Sequence, residues 1–315
     1  MFVLDSHCDT PSEIVRGRNL FIDNPVGHVD FPKISRSGVD GAFFALYIPA
    51  ELDEAEAMSC ALRQYDAVIR SVNDSHGRAR VTTSMAEAFA NKSDGVFSIF
   101  LGLENGSPIG KSIDGLKMFY DKGIRYITLC HSKDNEICDS SASPQKRWGG
   151  LSPFGREVVA EMNRMGMLID VSHVSDETFY DVLKYSSKPV VATHSCCRAL
   201  CSHPRNMTDD MIKSLAAAGG VIQINFYPYF LDDSYVEGAS RPSYRLIADH
   251  IDHVVGLVGV DHVGIGSDFD GIEVTPEGME DISMMPKLFE ELRRRGYSET
   301  DLEKMASGNF FRILE

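Results

Sequence analysis

Short apolar segments recur along this chain, and most of them alternate with amphipathic segments. Helical periodicity marks several of the segments between them, at 51–72, 154–166, 175–186 and 244–259. Near-continuous apolar strands that alternate with helices are typical of a parallel sheet buried on both faces. The eight apolar segments are "FVLDSH" (2–7), "GAFFALYIP" (41–49), "VFSIFLGLE" (96–104), "IRYITLCH" (124–131), "MLIDVSH" (167–173), "PVVATHS" (189–195), "GVIQINFY" (220–227) and "HVGIGSDFD" (262–270).

Eight strand and helix units within about 270 residues predict an α/β fold of the (β/α)8 TIM barrel type. A doubly wound open sheet is the structural alternative. The chain has 315 residues, 43% of them hydrophobic, which is enough to bury a large core. Because no internal repeat, low-complexity tract or clear linker interrupts it, we predict a single barrel domain over residues 1–315.

Charge and cysteine usage exclude several classes of partner. The formal net charge is -15 and no basic run is present, so a nucleic-acid partner is not expected. No apolar segment reaches the roughly 18 residues that a membrane span needs, and the opening residues do not read as a signal peptide. Seven cysteines in a chain of this size do not suggest a disulfide framework. We therefore expect a cytoplasmic protein with reduced thiols and no membrane partner.

Side chains that can bind metal stand at the carboxyl ends of the predicted strands. In a barrel those ends meet on the face that carries active sites, so the side chains should converge. A single histidine at a strand end is more often structural than a ligand, and the pattern His-x-Asp is common by chance. The concurrence of seven such groups favours a site, and they are His7, Asp9, Glu104, His131, His173, His194 and Asp268.

A mixed set of imidazole and carboxylate groups without cysteine suits zinc, with manganese, iron or cobalt less favoured. Six or more ligand-capable groups exceed the needs of one open catalytic site, so a pair of ions is expected, and Glu104 can bridge them. Asp5 shares the predicted face of His7 but lies deeper, which predicts a buried, hydrogen-bonded support.

Two further segments are candidates for the rim of the site. The long polar stretch at 132–153 is predicted to form a loop that covers the site, and Trp148 within it is a candidate lid residue. Tyr227 and Tyr229 follow the seventh predicted strand and are candidates to contact a substrate side chain, although packing is an equal alternative.

The sequence resembles the membrane dipeptidase (renal dipeptidase) family, the zinc dipeptidases of the amidohydrolase superfamily. The likeness runs from "DSHCDTP" to the C-terminal "NFFRILE" and rests on "GLENG", "RYITLCHS", "LIDVSHVS", "THSCCRALCSHPRNMTDD" and "DHVGIGSDFDG" in this order. It lacks an apolar tail for a lipid anchor and the cysteine context of the animal enzymes, so it is most similar to the soluble microbial members. The resemblance implies a metallo-dipeptidase that hydrolyses free dipeptides, including those with a C-terminal D-residue, and suggests a homodimer.

The resemblance also implies roles for individual residues. His7 and Asp9 would hold one Zn²⁺, His173 and His194 would hold the second, and Glu104 would bridge the two ions of each subunit. His131, Arg205 and Asp268 match substrate-binding positions. The implied reaction uses a hydroxide that bridges the two ions, with Asp268 as the catalytic proton carrier and His131 as the oxyanion donor. Arg205 would bind the free carboxylate of the dipeptide; an ion pair with Asp209 or Asp210 is the alternative.

Other functions remain open at the level of the sequence. The same barrel and metals could cleave another small amide, a lactone or an N-acyl amino acid, because the fold does not determine the acyl group. A cysteine hydrolase using Cys130 and His131 is disfavoured, since adjacent strand residues face opposite ways. A thiolate metal site in "CCRALC", a phosphate cradle in "GIGSDFDG" and a non-enzymatic barrel that keeps metal for stability are weaker alternatives.

Overall fold

The structure, a computed structural model, describes residues 1–314 and contains a barrel of parallel strands. The sheet order is β1-β2-β4-β5-β6-β7-β8-β9, and β3 pairs only with β4. A parallel bridge between Cys8 and Phe269 joins the first strand to the segment after the last one, which closes the barrel. The strands are β1 (Leu4–Cys8), β2 (Gly41–Tyr47), β3 (Ala79–Val81), β4 (Phe97–Glu104), β5 (Ile124–Thr128), β6 (Leu168–Asp170), β7 (Val191–Ser195), β8 (Val221–Ile224) and β9 (Val263–Ile265).

All eight predicted strands are present, so the (β/α)8 prediction is confirmed and the open doubly wound sheet is excluded. The ninth strand, β3, was not predicted. It is three residues long and only partly buried, so it leaves no apolar run in the sequence.

The helices pack between and outside the strands, and the four predicted helical segments correspond to α3, α6, α7 and α10. Side-chain caps explain where several of them begin. Ser152, Ser175 and Thr208 each accept a hydrogen bond from the backbone N–H three residues later. The helices are α1 (Thr10–Val15), α2 (Phe31–Ser37), α3 (Glu54–Asn73), α4 (Met85–Ser93), α5 (Ile113–Asp121), α6 (Pro153–Met165), α7 (Asp176–Tyr185), α8 (Asp209–Ala217), α9 (Pro228–Leu231), α10 (Arg245–Val258), α11 (Met285–Arg294), α12 (Glu299–Glu303) and α13 (Asn309–Leu314).

Aromatic side chains fill the interior of the barrel at its amino-terminal end. The ring of Phe43 lies 4.9 Å from the rings of both Phe100 and Tyr126 and 5.1 Å from that of Phe310. Phe310 belongs to α13, and its neighbour Phe311 packs edge-on against Phe2. The C-terminal helix therefore covers this end of the barrel.

Within residues 1–314, the helices are too short or too polar to cross a membrane. The prediction of a single domain over the whole chain stays a prediction at this point.

Candidate metal centre and active site

A pocket of about 680 Å³ opens at the carboxyl ends of the barrel strands. Its walls come from the last residues of β2 and β4 and from the segments that follow β1, β5, β6, β7, β8 and β9. Six of the predicted site residues line it directly, and they are Asp9, Glu104, His131, His173, Arg205 and Asp268. His7 and His194 lie beneath the floor and are almost completely buried.

Glu104, the last residue of β4, stands at the centre of the histidine cluster. One carboxylate oxygen, Oε1, lies 3.0 Å from Nε2 of His173 and 3.5 Å from Nε2 of His194. The other oxygen, Oε2, lies 3.5 Å from Nε2 of His7, which is itself 3.5 Å from Oδ2 of Asp9. The two oxygens of one carboxylate therefore face two different sets of ligand-capable groups.

Three overlapping groups of side chains place their donor atoms within 4.8 Å of one another. Glu104 and His7 each belong to two of these groups, so the clusters form one continuous site. Together the groups bring all seven sequence-predicted candidates to one place: His7, Glu104 and His194; Glu104, His131 and His173; His7, Asp9 and Asp268.

The charges at His7 and Asp9 indicate that these residues fit a metal ion. Burial and repulsion from Glu104 raise the pKa of the Asp9 carboxyl well above its usual range. Burial opposes a charge on His7, but attraction from Glu104 raises the pKa of His7 well above its usual range. Nε2 of His7 and Oδ1 of Asp9 are buried and make no hydrogen bond within residues 1–314. Buried ligand atoms that lack a hydrogen-bond partner, next to carboxylates that repel each other, are suited to bind a divalent cation.

Buried hydrogen bonds orient the two deepest histidines. The Thr193 hydroxyl donates to Oδ2 of Asp170 at 2.6 Å, so its oxygen accepts from Nδ1 of His194 at 2.8 Å. That tautomer leaves a lone pair on Nε2 of His194, on the side of Glu104. Nδ1 of His7 is likewise paired with the Tyr126 hydroxyl at 2.8 Å. No local pattern in the sequence pointed to Thr193, Asp170 or Tyr126.

Asp5 is a buried, hydrogen-bonded support within β1, as predicted. It is fully buried and accepts hydrogen bonds from the backbone N–H and the hydroxyl of Ser267. The strand alternation that suggested a common face is interrupted by a register shift between Asp5 and Cys8. Asp5 therefore anchors the turn that leads to Asp268 rather than pointing at the metal candidates.

Asp268 lies in a tight turn after β9 in which two non-glycine residues have positive φ, +64° at Asp268 and +67° at Asp270. Asn225 donates to Oδ2 of Asp268 at 2.8 Å. Asp270 holds the turn in place, because its buried carboxylate accepts hydrogen bonds from Thr10 and Arg18, and from the backbone N–H of His28. This anchoring compensates for the backbone strain of the turn.

Arg205 lines the pocket and keeps one guanidinium N–H unpaired within residues 1–314. The residue is only 8% exposed, and Nη2 donates to the carbonyl of His194 at 3.0 Å. Its Nε is buried and has no partner within the described part of the chain. The alternative ion pair is not formed, since Asp209 pairs with His253 at 2.8 Å and neither Asp209 nor Asp210 contacts Arg205. A guanidinium with a free N–H in a pocket is suited to bind a carboxylate.

His131 lies three residues beyond β5 with its Nε2 3.9 Å from Glu104. Its ring packs edge-on against Tyr47, with ring centres 5.0 Å apart, and Nδ1 has no partner. Cys130 is buried and its thiol points toward the carbonyls of Asp139 and His173. A nucleophile and base pair between Cys130 and His131 is therefore absent.

The cysteines of "CCRALC" do not form a metal site either. The thiols of Cys196, Cys197 and Cys201 each donate to a different backbone carbonyl, those of Asn225, His250 and Tyr229. Buried cysteines bonded in this way serve packing.

The loop at 132–153 reaches the pocket, but not through its tryptophan. Ser132 and Ala142 line the pocket, whereas the Trp148 indole donates to the carbonyl of Asn135 and stays outside it. Asp139 shapes the loop by accepting from the backbone N–H groups of Arg147, Trp148 and Gly150. The prediction that Trp148 covers the site is wrong, because the indole N–H is used within the loop.

Of the two tyrosines proposed for the rim, Tyr227 lines the pocket and Tyr229 does not. Tyr229 packs edge-on against Tyr235 instead, with ring centres 4.8 Å apart.

The chain resembles known proteins over most of its length. The sequence matches the family described as membrane dipeptidase (Peptidase family M19) over residues 1–315. Dipeptidase aclJ of Aspergillus oryzae is 37% identical over 300 residues, which cover 93% of this chain and 70% of that protein. Dipeptidase verJ of Clonostachys rogersoniana is 35% identical over 303 residues, with coverage of 92% and 76%.

A solved structure gives the same result for the fold. A metallo peptidase from Rhodobacter sphaeroides, liganded with a phosphinate mimic of the dipeptide L-Ala-D-Ala, superposes with a TM-score of 0.93. The two sequences are 28% identical, and the superposition covers 100% of this chain and 98% of that one.

Proposed function

The chain belongs to the membrane dipeptidase family and is a peptide-bond hydrolase, and from this premise we propose that it is a zinc-dependent dipeptidase with two metal ions per subunit. The main support for the proposal is that two buried potential metal ligands, Nε2 of His7 and Oδ1 of Asp9, have no hydrogen-bond partner within residues 1–314. They lie beside the carboxylate of Glu104, whose two oxygens face two different sets of ligand-capable groups.

The proposed ligand sets follow the two sides of Glu104. His7 and Asp9, which face Oε2, would hold one ion, and His173 and His194, which face Oε1, would hold the other. Zinc suits this set of imidazole and carboxylate ligands. A bound pair of zinc ions would supply hydroxide for attack near neutral pH and would polarise the scissile carbonyl.

Asp268 and His131 are the proposed catalytic residues. Asp268 takes a proton from the attacking water and delivers it to the leaving amine, and Asn225 keeps the carboxylate turned into the pocket. His131 donates a hydrogen bond to the oxyanion that develops on the scissile carbonyl, which favours the transition state over the bound substrate.

Arg205 sets the proposed substrate class. Its free Nε–H and fixed guanidinium receive the carboxylate of a free dipeptide, whereas an amidated terminus has no charge to offer there. We propose that a C-terminal D-residue is accepted, since the similar Rhodobacter sphaeroides enzyme binds a mimic of L-Ala-D-Ala. We also propose that residues 1–315 form one domain, supported by the continuous sheet and the family match over the whole chain.

The test is hydrolysis of L-Ala-L-Ala and L-Ala-D-Ala beside their amidated and N-acetylated forms, by chelated protein before and after zinc is returned. We expect cleavage only with zinc, of free dipeptides only, and about two zinc ions per chain by elemental analysis. Glu104→Gln should lose bound zinc and at least about 100-fold in kcat/KM, whereas Glu157→Gln, on the exposed face of α6, should change neither.

Full zinc content and full activity in Glu104→Gln would contradict the bridging role. Zinc binding without cleavage of any dipeptide would leave the metal centre in place but exclude the substrate class. Cyclic amides, lactones and N-acyl amino acids would then be the next substrates to assay.

A further inference from the structure

One wall of the pocket runs continuously from Arg205 to an acidic residue at the rim. The Arg205 guanidinium lies 5.4 Å from the centre of the Phe230 ring, and that ring lies 5.0 Å from the ring of Tyr227. The Tyr227 hydroxyl donates to Oε2 of Glu273 at 3.0 Å. A cation, two aromatic rings and a carboxylate thus follow one another along the side of the pocket.

Glu273 differs from the other rim carboxylates in its charge balance. Glu13 is paired with Arg16 and Arg18, and Asp270 is also paired with Arg18. No Lys, Arg or His side chain of residues 1–314 lies within 4 Å of the Glu273 carboxylate, whose hydrogen-bond partner is the neutral Tyr227 hydroxyl. The outer end of the wall therefore carries a negative charge that the protein leaves uncompensated.

The proposed position of the substrate carboxylate determines which side chain meets this wall. When the C-terminal carboxylate is bound to Arg205, the α-carbon of the last residue lies next to that carboxylate. The side chain of the last residue then begins beside Phe230. A long side chain of the C-terminal residue therefore runs along the rings of Phe230 and Tyr227 toward Glu273.

We propose that Phe230, Tyr227 and Glu273 form a subsite for the C-terminal residue of the dipeptide, and that it favours a long side chain with a cationic end, as in lysine, ornithine or arginine. This inference rests on the proposed dipeptidase function. The aliphatic stem packs on the two rings while the cation stays at the wet rim beside Glu273. The overall charge of -15 adds to the attraction of cationic substrates.

The expected preference is modest because Glu273 is exposed. Exposed ion pairs are typically worth a factor of about two to five in an equilibrium constant, and salt weakens them. The preference should therefore be measured as a ratio between matched substrates and not as an absolute rate.

The experiment compares kcat/KM for L-Ala-L-Lys with that for L-Ala-L-norleucine, whose side chain has the same stem without the ammonium, using the zinc-loaded enzyme. We expect the ratio to exceed one in the wild type and to fall about threefold to fivefold in Glu273→Gln. Glutamine keeps an acceptor for Tyr227, so the wall retains its shape. Glu277→Gln is the matched control, since Glu277 is exposed in the same loop but does not line the pocket, and it should leave the ratio unchanged.

Three results would overturn the subsite. One is a wild-type ratio of one or below, and a second is a ratio that stays unchanged in Glu273→Gln with both rates intact. The third is an unchanged ratio in which both rates fall by the same factor, which would assign Glu273 to the N-terminal ammonium that the two substrates share. Failure of the proposed function itself looks different, because the wild-type enzyme would then cleave neither dipeptide, and the subsite would be excluded with it.

Discussion

Gly271 shows how closely the backbone approaches the site at the scale of one residue. A Cβ atom at this position would lie 2.1 Å from Oδ2 of Asp9 and 2.6 Å from Oδ1 of Asp268. Both atoms belong to carboxylates that burial and their neighbours already hold in place, so neither can move aside at low cost. Only a hydrogen atom fits between the turn and the two acids.

We therefore expect Gly271→Ala to displace Asp9 and to lower zinc content and kcat/KM together, by at least about tenfold each. Zinc by elemental analysis and dipeptide hydrolysis measure the two effects. The control is Gly256→Ala within α10, where a Cβ meets no atom within 4 Å. That change should leave activity intact and stabilise the fold by about 0.5 to 1 kcal/mol. Normal zinc binding in Gly271→Ala would contradict the close contact.

At the scale of elements, α10 connects two loops that carry site residues. His250 on this helix is 1% exposed, and its Nδ1 accepts from the backbone N–H of Cys197, in the segment after β7. Its Nε2 faces the carbonyl of Leu231 at 3.2 Å, at the end of α9. The imidazole makes both bonds only in its neutral form with the proton on Nε2, because a protonated Nδ1 cannot accept.

Burial lowers the pKa of His250 to about 4, from 6.5 in an exposed chain. Between these two pH values the unfolded state binds a proton that the native state does not. The contribution of His250 is therefore fully present above pH 6.5 and is lost as the pH falls toward 4, by about 3 kcal/mol in total.

Urea unfolding of the wild type and of His250→Gln at pH 7 and pH 4.5 tests this linkage. The fall in unfolding free energy with pH should be smaller in His250→Gln than in the wild type, while His76→Asn, at an exposed position, should match the wild type. An equal fall in all three proteins would show that other groups cause the pH dependence.

At the scale of the whole molecule, the barrel gathers carboxylates and imidazoles from the carboxyl-terminal ends of six strands into one cluster. The repulsion between Asp9 and Glu104, which raises the pKa of Asp9, is a cost that the native state carries and the unfolded chain does not. A cation that binds only the native arrangement relieves this repulsion, so metal binding and fold stability should be linked.

Chelation should therefore lower the melting temperature as well as abolish activity. Zinc at about 100 times its dissociation constant should stabilise the fold by about 2.7 kcal/mol per site. Scanning calorimetry across a zinc series measures this shift, with magnesium at equal concentration as the control, because magnesium binds imidazole weakly. A melting temperature independent of zinc would contradict a metal centre formed by these residues.

Most of the barrel was predictable because burial leaves a local pattern. Strands covered on both faces must be apolar throughout, and polar residues can follow them only where the strand leaves the core, so His7, Glu104, His173 and His194 were visible as interruptions at the ends of apolar runs. The short strand β3 and the place of Trp148 were not predictable, since three residues carry no periodicity and a loop indole bonds where the folded loop provides a carbonyl.

The sequence by itself determined the order of the eight barrel strands, the barrel class and the residue types that could hold metal, because each of these depends on neighbours a few positions away. Only the tertiary structure decided which groups orient and complete the site. Tyr126 meets His7 across 119 residues, Arg18 meets Asp270 across 252, and Tyr227 meets Glu273 across 46. Such pairs follow from the closure of the barrel, which sets the distances between strand ends, and no local pattern in the chain records them.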